Sequence, residues 1–349
     1  MSILWKSGNN QLSMEENPSS VPVERNRRLA GKWIARILLF LVAWAVIFFF
    51  LLGPGRVLFP SLLISYSSVS DKTNTVYYSG HRIEQAMDVL WMAAVVQDSI
   101  RRFWNDSTTR DFWKGVNIFI CESPGQYYYL TWNRAMGSAL MGRIVLNPAR
   151  YGPNMSLYSA LVHEMSHLYI SRRYWYLSYV FLIPKWFDEG CATLMQEFSF
   201  AESHLESYLR ESPGLVSLSA LKHPWDWQTL VSMEEGKMAA KGYGHVRSFM
   251  EELRARYGID RIRDYAGHLG LNLLPGNTFR RIYGISLHEA DVQWLENKKK
   301  EGILPEETVF IPLAFSFPVF LRWVIISGIF AASAFLLLRW VIRLFRRRH

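Results

Sequence analysis

The chain has 349 residues, 50% hydrophobic and 20% charged, which excludes an intrinsically disordered protein, and its two cysteines exclude a disulfide-dense scaffold or a cysteine-based zinc site. Its formal charge of +9 sits at the ends: six basic and three acidic residues precede residue 37, five arginines follow residue 338, and 28 basic and 27 acidic residues lie between. A nearly neutral middle offers no basic face for nucleic acid, so none is expected as a partner.

In chain order, residues 1–32 form a polar, basic tail. Ile37 to Leu52 is uncharged, and Trp33 and Ile34 extend it past Arg36, so the run 33–53 predicts a first transmembrane helix. A second is predicted at 317–340, where Trp323 to Leu338 is uncharged between Arg322 and Arg339; a basic tail, 341–349, follows. Each uncharged core is a little short of the roughly 20 residues a span needs, and snorkelling arginines would complete both. The positive-inside rule then predicts a two-pass protein of the cell membrane, with both termini cytoplasmic and residues 54–316 outside the cytoplasm. The bilayer is a predicted partner, its anionic head groups meeting the basic tails.

Within 54–316, apolar positions at helical spacing predict a helix over 81–104. Val116 to Ile120 alternates and is β-branched, which predicts a strand. Arg143 to Leu146, between Gly142 and Asn147-Pro148, predicts a second strand, and the proline suits a sheet edge, where an extended peptide could pair. A helix bearing His163 follows. The aromatic connector 171–184 is read as a loop that covers the site or packs into the core, or that touches a membrane surface. Helices are predicted at 185–198, 201–211, 241–257, 259–269, 276–283 and 286–299, several separated by glycine. Strands early and helices late predict an α+β fold: a small sheet with an edge strand, a metal-binding helix and a helical subdomain. Cys121 and Cys191 could pair or could be two buried thiols.

The chemistry is carried by His163-Glu164-Met165-Ser166-His167. Two histidines four residues apart on a helix project from one face, a spacing that suits two imidazoles on one Zn²⁺, and Glu164 beside them can serve as general base towards water. Trp186-Phe187-Asp188-Glu189-Gly190 supplies a carboxylate, Glu189, as third ligand. Two histidines and a glutamate leave one tetrahedral position open, as in a catalytic rather than a structural zinc site. His81, His204, His223, His268, His288 and His349 have no comparable partners and read as surface or core histidines.

With both motifs, the chain resembles the gluzincin zinc metallopeptidases, most closely the peptidase MA-like families and more distantly the M1 aminopeptidases. A downstream pattern adds to the resemblance: Tyr243 to Phe249, Arg256-Tyr257-Gly258, Tyr283 to Leu287 and Trp294. The resemblance spans about residues 115–297 and implies a peptidase acting on a peptide or protein substrate with one Zn²⁺ per chain. It implies His163, His167 and Glu189 as ligands and Glu164 as base, with Tyr243 as catalytic donor to the oxyanion and His245 as a substitute. The segment Met136 to Gly142 lacks the acid with which M1 enzymes recognise a free amine. The rival reading is a membrane-tethered binding protein that keeps the fold without turnover; an intact Glu164 argues against it.

Overall fold

The computed structural model describes residues 36, 39–40, 54–107, 110–131, 135–147, 157–174, 176–196, 209–210, 214–233, 237–269, 275–313 and 339. The chain divides into two units, Met1–Phe48 with Ala331–His349, and Phe49–Phe330; the strands and helices that build the site belong to the second.

After a short helix, α1 (Pro54–Leu58), β1 (Ser67–Ser70) and β2 (Asn74–Tyr78) form an antiparallel pair. Asp71 ties their turn by accepting from the backbone N–H groups of Thr73 and Asn74 at 2.6 and 2.7 Å. α2 (Ile83–Trp104) carries the chain to β3 (Val116–Ile120), which pairs parallel with β2. α3 (Pro124–Thr131) leads to β4 (Gly137–Leu140) and β5 (Arg143–Leu146), an antiparallel hairpin. β5 lies parallel to β3, giving the sheet order β1-β2-β3-β5-β4.

Side-chain alternation sorts the sheet into two faces. Val76, Val116, Ile118, Ile120, Ile144 and Leu146 point into the main core beneath α2. Phe119, Cys121 and Val145 point the other way, into a smaller cluster with Val57, Tyr127 and Leu130 from α1 and α3. Tyr77 stacks on Phe119, its register partner, with centroids 4.5 Å apart.

Helices then dominate: α4 (Leu157–Arg173), α5 (Tyr176–Leu182), α6 (Lys185–Met195), α7 (Pro224–Ser232), α8 (Lys237–Tyr257), α9 (Ile259–Leu269), α10 (Pro275–Tyr283) and α11 (Leu287–Lys300). A small parallel sheet pairs β6 (Gly214–Val216), before α7, with β7 (Val309–Ile311) at the end. The architecture is mixed α/β, with a helix between parallel strands and a late strand pair, rather than strands followed by helices.

Several expectations are corrected. Among the described residues no helix is long and apolar enough to cross a membrane. The two longest of the described helices, α2 and α8, are amphipathic: α2 carries Glu84, Asp88, Asp98, Arg101 and Arg102, and α8 carries Lys237, Glu251, Glu252, Arg254 and Arg256. The fold of a domain held between two transmembrane helices is therefore not retained, and the two-pass cell-membrane localisation goes with it. The runs 33–53 and 317–340 lie outside the described residues except at 36, 39, 40 and 339.

Arg143–Leu146 is an inner strand. Met141 and Gly142, at φ 45° and 84°, form a two-residue turn with both central residues left-handed, and it folds β4 back along β5. β4 therefore ends the sheet order. The aromatic connector contains α5, whose Val180 is buried, as is Ile183 just after it. Of the helix predicted at 201–211, only 209–210 are among the described residues. Cys121 and Cys191 are buried free thiols, one in each core cluster.

Candidate metal centre

α4 is buried along most of its length through Ala160, Leu161, Val162, Met165, Leu168 and Ile170, because it lies between the sheet and the helical half. His163 and His167 stand one turn apart on its remaining side. α6 faces them, and its Gly190 lets α8 approach: a Cβ there would lie 2.7 Å from Met250 Cγ. That close packing accounts for the glycine that follows Glu189.

The structure brings His163, His167 and Glu189 together as a buried cluster that can hold a metal ion. His167 Nε2 lies 3.1 Å from His163 Nε2, and Glu189 Oε2 lies 3.2 Å from the first imidazole and 3.4 Å from the second. Bonds of 2.0–2.1 Å in tetrahedral geometry place ligand atoms about 3.3 Å apart, so the triangle has the size the ion needs. Glu189 Oε2 is buried and accepts no hydrogen bond, although a buried carboxylate oxygen ordinarily does. A cation held among the three atoms would satisfy it.

The three candidate ligands are held from behind. Asp188 Oδ1 lies 2.9 Å from His167 Nδ1, which orients the ring so that Nε2 faces the cluster. Asp188 Oδ2 accepts from Tyr179 at 2.8 Å and from Lys185 Nζ at 2.6 Å. The same ammonium lies 2.7 Å from Glu189 Oε1. Burial alone would raise Asp188, but the positive charges of His167 and Lys185 outweigh it and carry its carboxyl down to about 2. Burial likewise opposes ionisation of Glu189, and Lys185 and His167 hold it well below the usual carboxylate range. Burial would lower His167, yet Asp188 keeps its imidazole above the usual range.

Glu164 is 7% exposed. Burial raises its carboxyl, His163 and His167 pull against that rise, and Glu189 adds to it. β4 runs directly over this side chain: a Cβ on Gly137 would sit 2.5 Å from Glu164 Cγ and 2.7 Å from its Oε1. The Gly137 carbonyl accepts from the Tyr127 hydroxyl at 2.6 Å, which pins the strand there.

Tyr243, on α8, meets His163 edge to face with centroids 5.8 Å apart. Its hydroxyl oxygen accepts from Trp227 Nε1 at 3.3 Å, so its proton is free to be donated elsewhere. Burial, with Glu189 adding, raises this phenol and keeps it protonated. His245 does not join the cluster: it is buried against Asp291 at 2.7 Å and stacked on Trp294. Its expected role as substitute donor is thereby corrected. Lys185, Asp188, Tyr179, Trp227 and Gly137 complete the site, and the sequence motifs alone give none of them a role. The spacing of Lys185, Asp188 and Glu189, at i, i+3 and i+4, was the available signal for the first two.

No protein-family model and no curated protein matches the chain.

Proposed function

We propose that the chain is a zinc-dependent peptidase in which His163, His167 and Glu189 hold the ion and Glu164 is the general base. One observation carries this reading: three ligand atoms at metal-site spacing stand beside a buried carboxylate, that of Glu164. Two imidazoles and one carboxylate are a donor set suited to zinc with a position left open. When bound, the ion supplies Lewis acidity that acidifies water and polarises a carbonyl. Glu164 takes the proton from water and passes it to the leaving nitrogen. Tyr243 donates to the oxygen that gains negative charge in the transition state. β4 ends the sheet order beside Glu164, and an extended peptide pairing along it would bring a backbone carbonyl to the ligand cluster. The substrate class is therefore a peptide or protein in extended form.

The test is metal analysis of the purified full chain together with cleavage of a peptide library by wild type and Glu164→Gln. About one zinc per chain is expected in both, with turnover lower by at least about a hundredfold in the variant. Equal cleavage by both proteins removes Glu164 from the chemistry, and zinc uptake with no cleavage of any peptide overturns the peptidase reading.

A further inference from the structure

Lys185 occupies the first position of α6. A cation at a helix amino terminus meets the positive end of the helix dipole, so the local structure does not favour it there. Its side chain is only 15% exposed and folds back along the helix to the outer oxygens of two carboxylates, Asp188 Oδ2 at 2.6 Å and Glu189 Oε1 at 2.7 Å. Each carboxylate uses its other oxygen on the site: Asp188 Oδ1 faces His167 Nδ1, and Glu189 Oε2 faces the two imidazole Nε2 atoms. One ammonium thus closes the back of the cluster and claims the Glu189 oxygen that could otherwise turn to a metal.

We propose that Lys185 is a positioning residue of the metal centre, which holds Glu189 to ligation through one oxygen and keeps a fixed positive charge beside the ion. This rests on the zinc reading above. Both actions loosen the hold on the metal and favour reactivity. A carboxylate freed at Oε1 can chelate with both oxygens and fill the position substrate needs. Removing a neighbouring positive charge also strengthens attraction for a dication and makes the bound ion a weaker Lewis acid. In the metal-free protein the same ammonium balances two buried carboxylates that would otherwise repel each other.

The experiment compares the full-length wild type with Lys185→Met and Lys185→Arg, each purified in zinc. The zinc Kd is read by competition with a chromophoric chelator, and the number of oxygen neighbours by zinc X-ray absorption. Lys185→Met should bind zinc at least about tenfold more tightly, gain one oxygen neighbour and cleave peptide more slowly. Lys185→Arg keeps the charge and the donors and should match wild type in Kd and coordination. Should Lys185→Met fail to fold without metal, Lys185→Gln keeps a donor, loses the charge and should show the same tightening. Zinc held equally or more weakly by the neutral variants, with an unchanged neighbour count, overturns the role of Lys185 alone. A wild-type chain that takes up no zinc overturns the zinc reading, and this inference with it.

Discussion

Gly137→Ala tests whether the approach of β4 to Glu164 sets the position of the proposed base. The added methyl would lie 2.5 Å from Glu164 Cγ, 2.7 Å from Oε1 and 2.8 Å from Cδ. Carbon atoms in contact prefer about 3.5–4.0 Å, so roughly 1 Å of movement is required. The strand cannot easily provide it, because Tyr127 pins the Gly137 carbonyl and β5 pairs along the strand's inner side. Glu164 must therefore give way. A displacement of about 1 Å in a reacting group costs on the order of a hundredfold in rate. Overpacking should cost about 1–3 kcal/mol of stability, a fall of a few degrees in Tm. Zinc content should hold, since no ligand is touched. kcat/KM on a peptide substrate and metal analysis read both effects. In a Glu164→Gln background the alanine should add little further loss, because the base it displaces is already gone. A normal rate for Gly137→Ala, or an equal fold-loss in both backgrounds, refutes the reasoning.

Tyr243→Phe removes one hydroxyl and keeps the ring packed on Trp227 and His163; kcat should fall by roughly 10² with KM and zinc content little changed. Steady-state kinetics with an unchanged kcat would show a packed tyrosine only. Asp188→Asn should weaken zinc binding by about 10–100-fold, since the imidazole loses the carboxylate that orients it, read by chelator competition. Asp188 also predicts an acid limb for the metal-free protein. Its folded value, about 2, lies below the ordinary 3.8, so its contribution is present above about pH 4 and is lost as pH falls through 2. Urea unfolding of chelator-treated protein should show a larger acid loss in wild type than in Asp188→Asn, which keeps the part due to Glu189; parallel pH curves would refute it.

What was legible in the sequence is what a single helix specifies. His163, Glu164 and His167 are placed by the helical repeat alone, and Glu189 by a motif on α6. β4 was missed because Gly-Ser-Ala-Leu has little strand character of its own; it is made by the Met141-Gly142 turn and by pairing with β5. His245 was misread for a helical reason. Residues two apart on a helix diverge by roughly 200°, so a histidine two positions beyond Tyr243 faces Asp291 and Trp294 on the far side of α8.

The same angular argument assigns the acid beside the ligand. Consecutive helical residues diverge by about 100°, so Asp188 and Glu189 cannot share one role on α6. Asp188 reaches the Nδ1 end of His167 and Glu189 the Nε2 side, and consecutive carboxylates of one helix thus embrace one imidazole of another. The aspartate also accepts from Tyr179 on α5, and Lys185 joins it to the outer oxygen of Glu189. A two-helix site is in this way braced by a third, through Tyr179, a partner no local spacing reveals. In this chain the aspartate immediately before Glu189 is therefore itself a signal. It marks a helix that can both ligate a metal and fix the tautomer of the histidine opposite.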